Sequence, residues 1–326
     1  MPDHPFSNTA SVETAERAAQ IKAEKDKKDQ VHKRAQNFIN DEIAENIFKD
    51  KVVDFEKKGF ESDNYYVDLT DFEEDLPGGD SGVVRVHGTD KAVAATVDSS
   101  AVYCWAHPLS GGKQVVCESW RNLISVGATP IAITNCLNFG SPENEDNMGE
   151  FVECVQGIGE ASKYLNFPVV SGNVSFYNQT KEVGIKPTPS IGGVGLIKDH
   201  SKMVTMDFKE INNLILIIGK TEGHMDQSLF SRSILDEKNG PPPEVNLFNE
   251  KNNGENVLKL ISEGLIESAH DVSLGGIITS LSKMAIKGKK GFKLNKIKSL
   301  INKFEYYFGE DQARYIVEVK STNINK

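Results

Sequence analysis

The chain has 326 residues, which is enough for about two domains of ordinary size. Apolar residues make up 38% of the sequence, and the 27 glycines add about 8%, so a wholly disordered chain is excluded. The 37 basic and 47 acidic residues give a net charge of −10, which argues against a general nucleic-acid-binding protein.

Neither a membrane segment nor a disulfide framework is predicted. No stretch approaches the roughly 18 consecutive apolar residues of a membrane span, and the first residues lack the plan of a signal peptide. The four cysteines, Cys104, Cys117, Cys136 and Cys154, lie 13 to 19 residues apart, which suits neither a disulfide scaffold nor paired metal ligands. We therefore expect reduced thiols and a cytoplasmic protein that binds neither membrane nor nucleic acid.

The first part of the chain is predicted to be a charged arm. An apolar stripe at helical spacing runs through residues 31–47, within an otherwise strongly charged sequence. From Glu61 to Asp80 there are eight acidic residues and no basic one, and the stretch ends at Pro77-Gly78-Gly79. We place a domain boundary there and predict a helical or disordered arm over residues 1–76.

Residues 77–205 alternate short β-branched segments with helical patterns, which is typical of an α/β domain. The predicted strands are 83–86, 92–97, 130–134, 169–170 and 192–197, and the predicted helices are 112–127 and 149–165. Gly157 and Gly159 would weaken the second of these helices unless a neighbouring element packs closely against them.

Residues 206–326 are predicted to form a second, larger α/β domain, after a polar hinge at 198–213. The predicted strands are 214–218 and 315–319, and the predicted helices are 257–261 and 276–286. The sequence ends seven residues after the last strand, with no helix to cover it, so we expect this domain to be truncated.

The most informative polar segment is Gly172-Asn173-Val174-Ser175, a turn after an apolar strand. Glycine allows backbone N–H groups to approach a phosphate closely. An asparagine carbonyl suits Mg²⁺, and a serine hydroxyl can bind a phosphate or an amide. The alternative is an Asx-type turn, because these are also ordinary turn residues.

Asn135 follows the strand predicted over 130–134. If this strand and the strand before Gly172 are parallel neighbours, both loops emerge at the carboxyl edge of the sheet, where open α/β sheets bind ligands. The alternative is a simple turn at the end of the strand. Neither GxxxxGK[ST] nor GxGxxG occurs, so the P-loop and Rossmann interpretations are excluded.

Four further candidates each have a structural alternative. Asp98 ends an apolar strand and could bind a metal, or it could cap the next helix. Asp271 and Ser273 precede a helix whose N–H groups could bind an anion, but an ordinary helix cap is favoured for them. Gln312 could contact a ligand, although a solvated turn is the better interpretation of residues 310–314.

Several of these segments resemble the synthetase subunit of the phosphoribosylformylglycinamidine synthase family, also called formylglycinamide ribonucleotide amidotransferase. The motifs are Pro77-Gly78-Gly79-Asp80, Val86-His87-Gly88-Thr89-Asp90-Lys91, Trp120-Arg121-Asn122-Leu123, Leu137-Asn138-Phe139-Gly140, Ser171-Gly172-Asn173-Val174-Ser175, Pro187-Thr188-Pro189, Ala269-His270-Asp271-Val272-Ser273 and Phe308-Gly309-Glu310-Asp311-Gln312. The resemblance covers residues 77–319, about three quarters of the chain.

The resemblance implies a fold and a set of site residues. The family has two homologous halves, each a ferredoxin-like α/β domain followed by a larger domain of the aminoimidazole ribonucleotide synthetase type, and this chain resembles the second half only. The two ferredoxin-like domains pack together around the active site. By resemblance, Asn135 and Gly172 contact ATP, Asn173 binds Mg²⁺, and Ser175 touches the substrate. The family often has Asp at the first of these positions, and Asn135 is neutral.

The resemblance also implies a reaction and partners. ATP activates the amide of formylglycinamide ribonucleotide as an iminophosphate, and ammonia then displaces phosphate to give the amidine. The ammonia comes from glutamine through a glutaminase subunit, bridged by a small accessory subunit. The catalytic histidines belong to the first half of the synthetase, so no catalytic residue is identified here, and activity would require that half as a partner. The alternatives are a non-catalytic nucleotide-binding scaffold and a self-sufficient kinase-like homodimer.

Overall fold

The structure is a computed structural model, and it describes residues 79–181, 183–295 and 301–324. These residues belong to one compact unit, Thr70–Lys326. The arm predicted over residues 1–76 lies outside the described residues.

The first part of the described chain forms a mixed sheet. Its strands are β1 (Gly82–Arg85), β2 (Ala92–Ser99), β3 (Thr129–Asn138), β4 (Val169–Ser175), β5 (Gln179–Thr180), β6 (Val183–Gly184) and β7 (Thr188–Ile197). Five of these strands form one sheet in the order β1-β2-β7-β3-β4, and β5 pairs with β6 in a separate ribbon. Neighbouring strands are antiparallel except for β3 and β4, which run parallel.

Three helices pack beside this sheet: α1 (Ala101–Ala106), α2 (Pro108–Ser125) and α3 (Glu145–Tyr164). Helix α2 begins earlier than the sequence predicted, because His107 caps it through Ser110 N and a proline occupies its first turn. The prediction that an element packs closely against α3 is confirmed at Gly157, where an added Cβ would lie 2.1 Å from the Leu109 carbonyl oxygen. The same test at Gly159 meets no atom within 4 Å.

One face of the five-stranded sheet is covered, and the other is open. Along β2, Ala92 and Ala94 are fully buried, whereas Val93 and Val97, which alternate with them, are 38% and 77% exposed. Val84 of β1 pairs with Val93, and Val194 of β7 pairs with Ala95. Val84 and Val194 are each 43% exposed. We call the four valines Val84, Val93, Val97 and Val194 the open apolar face.

The second part of the described chain contains a three-stranded antiparallel sheet and four helices. The strands are β8 (Leu214–Ile218), β9 (Ser268–Asp271) and β10 (Tyr315–Val319), in the order β8-β10-β9. The helices are α4 (Leu229–Ser233), α5 (Leu247–Ser262), α6 (Gly276–Gly288) and α7 (Lys303–Phe308). Every residue of the central strand β10 is buried. Trp120 of α2, Val257 of α5 and Tyr315 of β10 belong to one buried cluster, so the two parts share a core.

Three features of the second part differ from the sequence-based expectations. Helix α5 is much longer than the predicted 257–261, because Asn246 caps it through Asn249 N and Glu250 is buried on its inner side. Strand β9 was not predicted, since only its Ala269 is apolar. The polar hinge at 198–213 contains Met206 and Phe208, which are buried in a second cluster and anchor the segment.

The helices of the described residues include none that is both long and apolar enough to cross a membrane.

Candidate functional site at the carboxyl edge of the sheet

The carboxyl ends of β3 and β4 bring two predicted site residues into contact. The two strands are parallel neighbours, which was the condition for these residues to meet, and Asn135 pairs with Gly172 in their register. Asn135 lies within β3 and not in a loop or turn after it. A Cβ built on Gly172 would lie 2.0 Å from Asn135 Oδ1 and 2.8 Å from the Asn135 carbonyl oxygen. Since no side chain fits there without moving Asn135, glycine is required for this contact.

Asp98 lies on the same row of the sheet as this pair. Ile191 of β7 pairs with Asp98 on one side and with Asn135 on the other, so the row runs Asp98, Ile191, Asn135, Gly172. Two interstrand spacings separate the backbones of Asp98 and Asn135 by about 10 Å. Residues paired across a sheet face the same side, so these side chains project towards the face that the helices cover.

Asn173 faces the opposite side of the sheet. It pairs with Cys136, which pairs with Ser190, and successive residues of a strand alternate between faces. Asn173 and Asp98 therefore cannot hold the same ion, although both were candidate metal ligands. Their separate roles stay predictions.

Residues 172–175 belong to strand β4, so the turn predicted for this segment and its Asx-turn alternative are both wrong; an internally bonded loop follows only after Ser175. Asn178 Nδ2 donates to the carbonyl oxygen and the hydroxyl of Ser175, at 2.9 and 3.1 Å, and to the Phe139 carbonyl oxygen at 3.1 Å. The same side chain therefore ties the loop after β3 to the loop after β4. The hydroxyl of Ser175 is held at a fixed position at this edge, which is compatible with the predicted contact to a substrate.

Asp98 does not cap a helix, so the structural alternative for it is wrong. Helix α1 begins after Ser100 and has no side-chain cap. Asp98 Oδ2 instead accepts a hydrogen bond from Asn122 Nδ2 at 3.2 Å. Burial, followed by the nearby carboxylate of Glu118, raises the pKa of Asp98 well above its ordinary value.

Glu118 and Arg121 of helix α2 lie at the centre of a buried polar cluster. The fully buried Arg121 guanidinium binds Glu250 Oε1 at 2.7 Å, Asp271 Oδ2 at 3.5 Å and the carboxylate of Glu118. Its Nη2 also donates to Gln312 Oε1 at 3.2 Å. One guanidinium therefore joins residues of α2, α5, β9 and the loop before β10.

This cluster contains more carboxylates than cations. Three carboxylates (Glu118, Glu250 and Asp271) pair with the guanidinium of Arg121, and Asp98 interacts with it electrostatically; Arg314 is a second buried guanidinium in the region. Burial is the main cause that raises the pKa of Glu118 to about 8, and the neighbouring carboxylate of Asp271 is the next cause. Burial also raises the pKa of Asp271 to about 7, with the carboxylate of Asp80 as the next cause. Buried carboxylates in excess of cations are stabilised by protons or by metal ions. Asp98, Glu118 and Asp271 contribute carboxylate oxygens to this cluster, but in the described residues the oxygens of these three side chains are not gathered closely enough to form a ready ion site.

The sequence did not single out Glu118 or Glu250, and Arg121 was named only within the motif Trp120-Arg121-Asn122-Leu123. Each is a charged residue in a segment that ordinary helix patterns explain. The available signal was the pair Glu118 and Arg121, one turn apart within the stripe of α2 that faces the core, where unpaired charges are not expected.

The structural alternatives for Gln312 and for Asp271 and Ser273 are both wrong. Residues 310–314 are buried rather than a solvated turn, with Glu310 fully inaccessible. Helix α6 is preceded by Gly275 at φ 81°, and neither Asp271 nor Ser273 caps it. The Gly275 N–H donates to Glu310 Oε1 at 2.7 Å, so an internal carboxylate occupies the position predicted for an anion. Ser273 instead hydrogen-bonds to Glu118, and this hydrogen bond offsets a small part of the rise in the pKa of that carboxyl.

All four cysteines are free thiols, and only Cys136 is partly exposed. This agrees with the expectation that they have no disulfide role.

Comparison with known proteins identifies the family of this fold. The family described as AIR synthase related protein, N-terminal domain, matches residues 78–197, and AIR synthase related protein, C-terminal domain, matches residues 210–324. The chain therefore belongs to the AIR synthase related family, and the predicted pair of α/β domains is confirmed.

The curated relatives show which subunit within that family this chain is similar to. The chain is 79% identical over 248 residues to phosphoribosylformylglycinamidine synthase subunit PurL of Pelagibacter ubique, covering 76% of this chain and 34% of the relative. It is 50% identical over 241 residues to the same subunit of Azorhizobium caulinodans, covering 74% and 33%. The resemblance drawn from the motifs is confirmed, and the chain spans about a third of the length of these relatives.

Solved structures share the fold at low sequence identity. Thermotoga maritima PurL complexed with FGAR has a TM-score of 0.61 at 20% identity, covering 77% of this chain and 41% of that chain. T. maritima PurL complexed with ATP has a TM-score of 0.52 at 24% identity, covering 74% and 35%. A chain of the HypE–HypF complex has a TM-score of 0.55 at 17% identity, covering 79% and 83%.

Proposed function

We propose that this chain is the second half of a phosphoribosylformylglycinamidine synthase synthetase and supplies part of its ATP·Mg²⁺ site. The reaction would convert formylglycinamide ribonucleotide to the amidine, in purine biosynthesis, with ATP and with ammonia derived from glutamine. The observation that carries the proposal is the contact between Asn135 and Gly172 at the carboxyl edge, in a chain 79% identical to a PurL subunit. The relatives' function supports the reaction, and the contact supports the site.

ATP would bind at the edge formed by β3 and β4. Gly172 is exposed, so a phosphate could reach its backbone, while Asn135 Oδ1 fills the place that a side chain at Gly172 would take. The amide of Asn135, held against Gly172, would donate to or accept from the nucleotide. T. maritima PurL has been solved with ATP, ADP and AMPPCP, which supports nucleotide binding by this fold.

Carboxylates of the buried cluster would contribute to the Mg²⁺ site. Asp98, Glu118 and Asp271 offer carboxylate oxygens, which would have to move closer together to hold one ion. A bound Mg²⁺ would supply positive charge that stabilises phosphate oxygens. The chain's own contribution is to shield these carboxylates from bulk water, with Arg121 pairing with Glu118 and Asp271. Asn173, on the other face, would serve a separate ion.

A substrate contact would come from Ser175. The Ser175 hydroxyl is fixed by Asn178 at the open edge, whereas Ser273 is engaged with Glu118. Gln312 would act less directly, because its side chain is bonded to Arg121 and to the Glu310 carbonyl oxygen.

The first half of the synthetase would cover the open apolar face. A contiguous apolar surface of this kind marks an interaction site, and Val97 is the most exposed of its four valines at 77%. The occupant we propose is a domain of the same fold from the missing half, since this chain covers only 34% of its P. ubique relative. A glutaminase and a small accessory subunit would complete the assembly; PurLQS of T. maritima is among the solved structures that share the fold.

Genetic complementation tests the proposal. In a bacterium lacking its synthetase, co-expression of this chain with the first half of a PurL relative should restore growth without added purines. Neither protein alone should do so, and Asn173→Ala should abolish rescue while circular dichroism and the unfolding midpoint stay unchanged. If the pair fails to rescue although the chain binds Mg·ATP, the alternative of a non-catalytic nucleotide-binding scaffold is favoured. Normal rescue by the Asn173 variant would refute its metal role.

A further inference from the structure

Helix α6 and the residues that follow it carry a run of lysines that the proposed function does not use. Between Asp271 and Glu305 the sequence has no acidic residue and eight basic ones, which are Lys283, Lys287, Lys289, Lys290, Lys293, Lys296, Lys298 and Lys303. About two or three cations would suffice to complement the dipole at the C-terminal end of α6. In a chain of net charge −10, so long a run of one sign indicates an anionic partner.

The described part of this run is open to solvent. Three of its lysines are exposed and pair with no carboxylate of the described residues: Lys283, Lys289 and Lys293. Ile286 is 73% exposed and shares the outer face of α6 with Lys283, because residues three apart on a helix are neighbours. Leu294 is 41% exposed. We call residues 283–294 the lysine patch.

A described acid near the end of α6 does not neutralise the patch. Phe208 packs against Gly288, where an added Cβ would lie 2.6 Å from the Phe208 backbone nitrogen. The neighbouring carboxylate of Asp207 already binds Lys209 Nζ at 2.7 Å.

The residues just before Pro77 have the complementary composition. Residues 70–76, here called the acidic tract, contain four carboxylates, two large apolar side chains and no basic residue. Phe72 and Leu76 offer apolar surface to match Ile286 and Leu294, and the carboxylates offer charge to match the lysines. An apolar centre ringed by complementary charge is the usual composition of a specific interface.

We propose that the acidic tract binds the lysine patch of the same chain. Asp80, four residues after the tract, lies beside β9, because the Asp271 N–H donates to Asp80 Oδ2 at 3.4 Å. Helix α6 begins five residues after Asp271 and is about 20 Å long. From Asp80 back to residue 70 the extended chain spans up to about 33 Å, so the tract can reach the exposed lysines of α6.

The short linker makes such a contact effective. Each exposed ion pair contributes little by itself and is screened by salt. The linker Pro77-Gly78-Gly79 holds the tract at an effective concentration in the millimolar range, so several weak pairs are enough to keep it bound. A nucleic acid fits the patch less well. Residues 283–294 contain no arginine, and their one aromatic ring, Phe292, packs against Phe208.

Carbodiimide cross-linking of the full chain tests the proposal, because this reagent joins a carboxylate to a lysine amine in contact with it. At low salt we expect amide links between the acidic tract and the lysine patch, identified by mass spectrometry of the monomer. Links from the tract to Lys259, an exposed lysine of α5, should be roughly tenfold rarer, since the tether favours the patch. In about 0.5 M NaCl the patch links should fall severalfold, because the Debye length shortens to about 4 Å.

A second measurement uses the reactivity of the lysines. Acetylation of Lys283 and Lys293 should become severalfold faster when the four carboxylates are neutralised together in the variant Asp71→Asn, Glu73→Gln, Glu74→Gln, Asp75→Asn. Acetylation of Lys259 is the control and should not change. The proposal is overturned if the tract forms no links with the patch, or if neutralising the tract leaves the reactivity of the patch unchanged. It is also overturned if a mixture of isotope-labelled and unlabelled chains gives the links in mixed pairs, which would assign the patch to a second copy.

Discussion

Replacing Glu118 by glutamine should stabilise the metal-free chain at alkaline pH. Burial raises the pKa of Glu118 from 4.5 to about 8, so the folded chain holds a proton that the unfolded chain has already released. Folding stability therefore falls as the pH rises from about 4.5 to about 8, because ionisation opposes the folded state over this window. At 1.36 kcal/mol per pKa unit, the difference amounts to about 5 kcal/mol at most.

Glutamine keeps most of the local hydrogen bonds. Its carbonyl oxygen can still accept from Arg121 and from Gln114, whose Nε2 lies 3.1 Å from Glu118 Oε2. Its amide group can donate to Asp271 in place of the acid proton. The substitution therefore removes the titration with little change in packing.

Urea unfolding in the presence of a chelator, at about pH 5, 7 and 9, measures the effect. The stability of the unmodified chain should fall by several kcal/mol more than that of Glu118→Gln across this range. Glu160→Gln, which changes an exposed carboxyl on α3, should keep the slope of the unmodified chain. Adding Mg²⁺ at pH 9 should restore stability to the unmodified chain but not to Glu118→Gln. Equal slopes for the unmodified chain and Glu118→Gln would refute the reasoning.

Three further substitutions test separate parts of the account. Gly172→Ala would place a Cβ 2.0 Å from Asn135 Oδ1. In the complex with the first half it should weaken Mg·ATP binding, measured by calorimetry, by roughly tenfold. The control Gly159→Ala, where an added Cβ meets no atom within 4 Å, should leave binding unchanged. Arg121→Met leaves three carboxylates without their cation and should lower the free energy of unfolding, measured in urea, by roughly 3–5 kcal/mol. A decrease below about 1 kcal/mol would contradict the stabilising role given to Arg121. Val97→Glu should leave the unfolding midpoint unchanged but prevent association with the first half, measured by sedimentation. Normal association would show that another surface forms the interface.

Local patterns predicted most of the elements that frame the site. The apolar and β-branched runs of β2 and β8 indicated strands, and the strand segments next to Asn135 and Gly172 were predicted, although their parallel pairing was only a condition that the structure meets. These elements follow from short-range patterns that a single sequence contains. The short strand β9 and the first half of α5 were missed, because tertiary burial and not local composition stabilises them.

The buried cluster could not be predicted from spacing. Arg121 meets Glu250 and Asp271 across separations of 129 and 150 residues, so no local pattern brings them together. Residues 310–314 read as a solvated turn because four of the five side chains are polar. Each finds partners only when distant segments arrive, as when Asp311 accepts N–H groups from the loop that follows β8.

The most direct test of the central claim is the rate of amidine formation from formylglycinamide ribonucleotide, ATP·Mg²⁺ and ammonium ion. The rate would be measured with this chain alone, with the first half of a PurL relative alone, and with an equimolar mixture. We expect turnover only in the mixture, with one ATP consumed per amidine formed, and a rate at subsaturating ATP that falls about tenfold with Gly172→Ala. A mixture that forms a stable complex and binds ATP yet makes no amidine would contradict it.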